Sequence, residues 1–466
     1  MSASSRAADN GVGSAPGDPP RRPAVPLALL LLAGSGAACA ATAPGAPEER
    51  PPGARAVSGF LSSRYRGRSG LGERDHDLYQ VLSADWRGRE PASASAHVLG
   101  ELAWDLDGPD ADGEFAFYSL QDTYGRRLTG RLLHAYLDLP GSPRFEVLRL
   151  GRQFFHDTPL GVTFDGARLE TARAALLGAR FGAYAGVPVH PYESSRSGDL
   201  VGGLLGLWEL WKGALLRLDW MHLEDETRLR TAKNDLVGVD LQQALRGRER
   251  DALLEARWTG LEGAGRDVRL RATFFDSPLG WTLDASYYEL LTTQNELAVP
   301  LDPFSSSLFE LFPYRQVTLL ASKSWTHLVL EGGADARRVA DSDDVGEFNR
   351  DFLRGHLSAT GDDLLPWDTS LTLTGEVWNA DADDFRSWGV ALAREFGDRV
   401  DVDFGSYYSL YKVDFFANEE RDHVRTWFAG LSYDPRPSTR FSLDYQFEQN
   451  DLDDFHQLRV GCTWRF

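Results

Sequence analysis

Along most of this chain apolar and polar residues alternate one by one over segments of about ten residues, with turn-forming or acidic clusters between the segments. The C-terminal segment is the clearest. Leu458, Val460, Cys462, Trp464 and Phe466 fall on one face, and Arg459, Gly461, Thr463 and Arg465 on the other. Upstream, Phe441, Leu443, Tyr445 and Phe447 alternate with Ser442, Asp444, Gln446 and Glu448. Val400, Val402, Phe404, Tyr408 and Leu410 oppose Asp401, Asp403, Gly405 and Ser409, and Val268, Leu270, Ala272 and Phe274 oppose Arg269, Arg271 and Thr273. A period of two is that of a β-strand with one greasy and one wet face. Beyond residues 1–40 no apolar run approaches the roughly 20 residues that a membrane helix needs. A chain of this kind spans a bilayer only as a closed barrel, which satisfies every backbone polar group without water. The pattern therefore predicts an all-β fold, a transmembrane antiparallel up-and-down β-barrel of about 22 strands within a range of about 18 to 24.

Read backward from Phe466, the connections alternate between short and long. The short ones lie near Asp434–Ser438, Phe396–Arg399, Trp325–Thr326, Asp276–Gly280, Trp211–Gly213 and Pro140–Arg144, and are assigned to the periplasmic end. The long ones, 108–127, 187–199, 225–235, 291–314, 338–349, 379–384, 413–421 and 449–455, are assigned to the outside; many are rich in Asp, Glu, Asn and Gly. An even strand number brings both termini to the periplasm, as in bacterial single-chain barrels.

Residues 1–40 have a different texture. Arg21 and Arg22 precede the apolar run Leu27–Ala33, and small residues end at Ala38-Cys39-Ala40, the layout of a signal peptide cleaved after Ala40. Residues 41–55, rich in Pro, Ala, Gly and charge, read as a short flexible periplasmic lead-in, and 56–466 as the barrel. A lead-in of that length leaves no room for a plug domain.

The chain carries 49 basic and 69 acidic residues; removing residues 1–40 takes away three Arg and two Asp and leaves a net charge near −21. An acidic surface argues against nucleic acid, which is bound by clustered Lys and Arg. It suits loops facing lipopolysaccharide and its bridging cations. Cleavage leaves Cys462 as the sole cysteine, so no disulfide, cysteine metal cluster or haem attachment is expected, and no cofactor. Nearly all basic residues are Arg, with Lys only at 212, 233, 323 and 412. Arg paired with Asp and Glu along a lumen wall is the plain reading of that bias, and a selectivity device the alternative. No G-x-S-x-G or H-E-x-x-H motif occurs, and His97, His134, His222, His327, His356 and His456 are scattered singly, so catalysis is not expected. Asp341, Asp343 and Gly346 open like a calcium loop, but Val345 and Phe352 occupy ligand positions, so no metal site is expected there. The acidic run Asp381, Asp383 and Asp384 reads as a solvated loop as well.

The final strand, with Leu458, Val460, Trp464 and terminal Phe466, resembles the C-terminal signal by which Gram-negative outer-membrane barrels engage the barrel-assembly machinery. Gly151-Arg152-Gln153 followed by Phe164-Asp165-Gly166-Ala167-Arg168-Leu169 resembles a strand pair of porin-like families, including alginate-export-type barrels. The resemblance implies an outer-membrane location and a porin-like channel for passive diffusion of small hydrophilic solutes. The alternative is a sheath around a separate multihaem cytochrome, periplasmic or lumenal, which needs a wide polar lumen and no cofactor of its own.

Alternation nominates Arg269, Arg271, Asp284, Asp401, Asp403, Asp444 and Arg459 as lumen-facing. The segment Gln294–Tyr314 is unusually apolar for a connection; folded inward, it would place Glu296, Asp302 and Glu310 at a constriction. Packing on the rim or against a neighbouring subunit is the other reading. Residues 113–121 read as an extra strand or a second inward fold.

Overall fold

The structure, a computed structural model, describes residues 57–466 apart from 89–92, 109–116, 118–119, 122–124, 143, 157–158, 160, 173–177, 190–198, 227–230, 248, 293–311, 342–350, 366–368, 381–383, 415–418 and 452. Its strands follow one another as β1 Val57–Gly70, β2 Glu73–Arg87, β3 Ser95–Asp105, β4 Leu128–Asp138, β5 Phe145–Phe155, β6 Val162–Thr171, β7 Ala179–Pro188, β8 Leu200–Trp211, β9 Ala214–Glu226, β10 Thr231–Arg246 and β11 Arg250–Leu261. The second half comprises β12 Ala264–Asp276, β13 Trp281–Leu290, β14 Tyr314–Ser324, β15 Leu328–Val339, β16 Phe352–Leu365, β17 Thr369–Ala380, β18 Asp384–Phe396, β19 Val400–Asp414, β20 Glu419–Arg436, β21 Thr439–Gln449 and β22 Asp454–Arg465. Each strand pairs antiparallel with its chain neighbours, and β22 pairs with β1 from Phe60↔Arg465 to Ser69↔His456. Gly59 and Phe466 exchange both N–H···O bonds at 3.0 Å beside this ladder. The sheet is thus a closed 22-stranded ring in which every strand has a paired neighbour on each side, the all-β barrel that the alternation predicts. The described residues contain no plug domain.

Ladders fix which way every side chain points, because residues directly opposite share a face. Outward positions carry the apolar residues: Leu61, Leu82, Leu204, Leu270, Leu319, Leu353, Leu357, Leu373, Phe404, Leu443 and Val460 are all exposed, Leu353 by 58%. Aromatic residues border this belt at both ends. Trp86, Trp281, Phe396, Tyr433 and Trp464 lie toward the end where the chain termini meet, and Trp104, Trp220, Trp258, Trp388 and Tyr445 toward the far end. A band of exposed Leu and Val between aromatic girdles is stable only in hydrocarbon.

Most expected connections are found, with two kinds of exception. At the far end, Leu71-Gly72 and Glu262-Gly263 are two-residue turns with both residues at positive φ (51° and 79°, 48° and 87°), the twist that joins right-handed hairpins tightly. At the terminal end, the spans 88–94 and 172–178 are longer than hairpin turns. The long spans 106–127, 189–199, 291–313 and 340–351 all lie at the far end. With strands about 4.8 Å apart and tilted roughly 40°, 22 strands give a backbone radius of roughly 22 Å. Side chains growing inward from such a wall do not meet across it.

Candidate functional site

The inward face is the candidate site, and it is built from cross-strand charge pairs. On β1 the alternating positions Arg64, Arg66 and Arg68 all point inward. In register, β2 places Tyr79, Asp77 and Asp75 opposite them, and β22 places Arg459 opposite Arg66. Arg66 pairs with Asp77, which is fully buried and also accepts from Tyr79 at 3.1 Å. Arg68 holds Asp75 through Nε at 2.7 Å and a terminal nitrogen at 2.6 Å. Phe117, from the connection between β3 and β4, sits 5.0 Å from the Arg68 guanidinium and edge-on to inward-facing Phe455 at 6.0 Å. Asp105 anchors the same connection by accepting from Gly108 N (2.6 Å) and Gln121 N (3.2 Å). Phe117 itself stands over the inward face at this end, and residues 113–116 and 118–119 of the segment 113–121 lie outside the described residues.

Asp401, Asp403, Asp444 and Arg459 come together on β19, β21 and β22. Asp403 and Asp444 flank Gly430 of β20, the position opposite both. A Cβ at Gly430 would lie 2.1 Å from Asp403 Oδ1, so the carboxylate occupies the space that glycine leaves. Asp444 stands opposite Arg459, and Asp401, half exposed, meets Arg440 at 3.2 Å. Arg269, Arg271 and Asp284 form a second patch on β12 and β13. Arg271 Nε donates to Asp284 Oδ2 at 2.9 Å, Thr273 donates to the same oxygen at 2.6 Å, and the Arg269 guanidinium lies 5.6 Å from the Tyr288 ring. Counting strands, β12 is eleven from β1 in either direction around the ring, so the two arginine stripes stand on opposite walls. Glu296, Asp302 and Glu310 lie outside the described residues.

Further inward pairs escaped the sequence reading. They include Arg131–Glu101 (2.5 Å), Arg149–Asp138 (2.6 Å), Arg217–Asp240 (3.2 Å) and Arg354–Glu376 (2.8 Å). Arg168 and Arg180 both reach Glu170. Opposite charges in adjacent strands mostly cancel one another's field, so the lumen wall reads as a lattice of local dipoles. This matches the plain reading of the arginine bias. An apolar cluster also went unread: Phe155, Val162, Phe164, Tyr184, Val201, Leu205, Met221, Leu223, Leu236 and Leu261 point inward near the far end of β5–β11 and are buried.

The histidines are less scattered than their spacing implies. His97 and His134 face inward with ring centroids 6.1 Å apart, and His97 Nδ1 is 2.8 Å from Asp85. His76, His222, His423 and His456 instead lie on the outward face at the far end, each on an aromatic ring. Tyr65 Oη is 2.6 Å from His76 Nδ1, Tyr408 Oη 2.5 Å from His423, Tyr445 Oη 2.8 Å from His456, and His222 lies 6.4 Å from Trp220. Rings that are part apolar and part polar suit a membrane–water boundary. Of the residues that resemble an assembly signal, Leu458, Val460 and Trp464 face outward, and Phe466 completes the seam to Gly59.

No family model and no curated protein matches the chain. Among solved structures it is similar to the P pilus usher (PapC) translocation pore, with TM-score 0.49 and 9% identity over 88% of this chain and 99% of that one. It is also similar to Pseudomonas aeruginosa OccK2 (OpdF), with TM-score 0.39 and 14% identity over 88% and 97%. A BenF-like porin from Pseudomonas fluorescens gives 0.40 and 11% over 88% and 98%. On the strand order and the division of its two faces described above, the fold is that of a porin-like transmembrane β-barrel of the outer-membrane kind.

Proposed function

We propose that this chain is an outer-membrane channel through which small hydrophilic solutes diffuse passively. The observation that carries the reading is the division of most strands into an exposed apolar outward face and a charged, hydrogen-bonded inward face around a ring too wide for its side chains to fill. The end where the termini meet faces the periplasm, and the end with the long connections and the histidine–tyrosine pairs faces outward into lipopolysaccharide. Solutes pass unchanged, exchanging bulk water for a wall of paired Arg and Asp/Glu that offers donors and acceptors at every level. Because most wall charges are paired, width sets most of the selectivity; the partly exposed Asp401 and its neighbours Asp403 and Asp444 add a mild preference for cations. During biogenesis the outward Leu458, Val460 and Trp464 with Phe466 engage the assembly machinery.

Reconstitution of the full chain into a planar bilayer tests this. The expected result is a steady ohmic conductance with weak cation preference. Natively folded barrels that insert but carry no current would refute it.

A further inference from the structure

One seam of the ring is incomplete. The β4–β5 ladder has four residue pairs, Ala135↔Arg152 to Asp138↔Arg149, whereas the next shortest, β6–β7, has seven. Beyond Ala135, His134 and residues 128–132 of β4 remain paired to β3, and Gln153–Phe155 of β5 remain paired to β6, but the two strands part from one another. The local cause is legible on both sides. Leu133 is an extra residue between His134↔Leu99 and Leu132↔Gly100, and such a bulge adds twist. On the facing strand Gly151, opposite Tyr136, has φ +116°, with the Ala135 carbonyl oxygen 2.2 Å from where a Cβ would stand.

The parted strands are tied by a side chain. Arg152, on the outward face, binds both carboxylate oxygens of Asp165 on β6 at 2.7 Å each, and its remaining nitrogen donates 2.9 Å across the gap to the carbonyl of Leu132. An ion pair on the lipid side of a barrel is costly. Here it stands in for missing ladder bonds as a latch. The lips of the gap are greasy: Leu128, Leu132 and Phe154 are exposed outward. Just inside, Gln153 is 1% exposed, and its Oε1 has no hydrogen-bond partner among the described residues; the buried Thr129 Oγ1 has none either. Beyond them begins the inward apolar cluster at Phe155 and Phe164.

We propose that the β4–β5 seam is a lateral gate that admits a single-chain amphiphile from the outer leaflet, its apolar chain between the lips and its polar head at Gln153 and Thr129. Opening requires release of Arg152 from Leu132. The gate rests on the barrel being embedded in a bilayer with β4 and β5 facing lipid.

The test uses the full chain in phosphatidylcholine vesicles containing a diazirine-labelled fatty acid. After irradiation, adducts are mapped by mass spectrometry, and swelling in a sugar solution is recorded on the same vesicles. Continuing the register of Ala135↔Arg152 puts Leu133 opposite Phe154, so L133C/F154C, with Cys39→Ala and Cys462→Ala, locks the seam; A272C/A285C, directly paired on β12 and β13, is the matched control. Adducts are expected on Gln153 and Thr129, falling about tenfold when the seam is locked, returning on reduction, and unchanged by the control staple. Absence of inward adducts, or equal labelling of locked and reduced protein, overturns the gate. Swelling reports the channel separately, so the two readings fail independently. If the locked variant does not assemble, amide exchange of the unaltered chain decides: residues 135–138 and 149–152, which close the seam, exchange faster than the fully paired β12 and β13 if the seam opens, and protection equal to those strands overturns it.

Discussion

Leu319 and Leu320 are adjacent on β14, both exposed in the isolated chain (52% and 38%), and they point to opposite sides of the wall. Leu319 sits mid-strand between Ala285 and Ala334 on the outward face. Leu320 stands between Asp284 and Gly333 on the inward face, its side chain lying over that glycine. Replacing either with arginine swaps a leucine for the same cation within one residue of sequence. At a bilayer midplane an outward arginine costs about 2–4 kcal/mol, which is roughly a 30- to 700-fold loss in folding equilibrium. An inward arginine at position 320 stays wet and gains Asp284 as a neighbour, so its cost is within about 0.5 kcal/mol of zero. The assay is reversible guanidinium unfolding in phospholipid vesicles, followed by the fluorescence of the chain's 13 tryptophans. L319R is expected to lose stability in that range and L320R to be nearly neutral. Equal costs, or a neutral L319R, would refute the assignment of faces and with it the membrane belt.

Arg66→Ala strands the buried Asp77 carboxylate and is expected to cost about 3–5 kcal/mol in the same assay, with R66A/D77A recovering much of it. At Gly166 a Cβ would stand 2.1 Å from the Ala185 carbonyl oxygen and 2.6 Å from Gly186 Cα, backbone that cannot step aside; Gly166→Val should cost at least about 3 kcal/mol and lower the yield of heat-modifiable barrel on gels. Neutralising Asp401, Asp403 and Asp444 together to Asn should move the reversal potential of the reconstituted channel toward anions, with a change of about twofold in permeability ratio. Deleting Phe466 removes both backbone bonds to Gly59, and assembled barrel in the membrane fraction should fall about tenfold.

The architecture was legible because each wall has a different solvent. Where lipid meets one face and water the other, as along Leu458–Phe466, period two is written plainly and even the inward residues Asp444 and Arg459 follow from it. The pattern blurs where that contrast disappears. Strand β8, Leu200–Trp211, is apolar on both faces because its inward Val201 and Leu205 join the buried cluster, so neither face stands out. The charge pairs were also invisible as pairs. Arg131 and Glu101 are 30 residues apart, and only the register of β3 with β4 makes them partners. The outward histidines follow the same rule, since Tyr445–His456 is a pair only once β21 and β22 are aligned. The short β4–β5 ladder had a trace in the sequence, Gly151-Arg152-Gln153, but a glycine in a strand does not by itself say which neighbour it parts from.

Of the ring's ladders, all but one join strands adjacent in the chain, so their hairpins can zip locally. The exception ties residues such as Ser62 and Thr463, separated by 401 positions. Bringing ends that far apart together costs about 5 kcal/mol in chain entropy before a single bond is returned. Until it does, the first and last strands are two raw edges on one molecule, each able to pair with another copy. The slowest and most hazardous moment of biogenesis is therefore the last one, and whatever escorts the chain must hold both edges until they find each other.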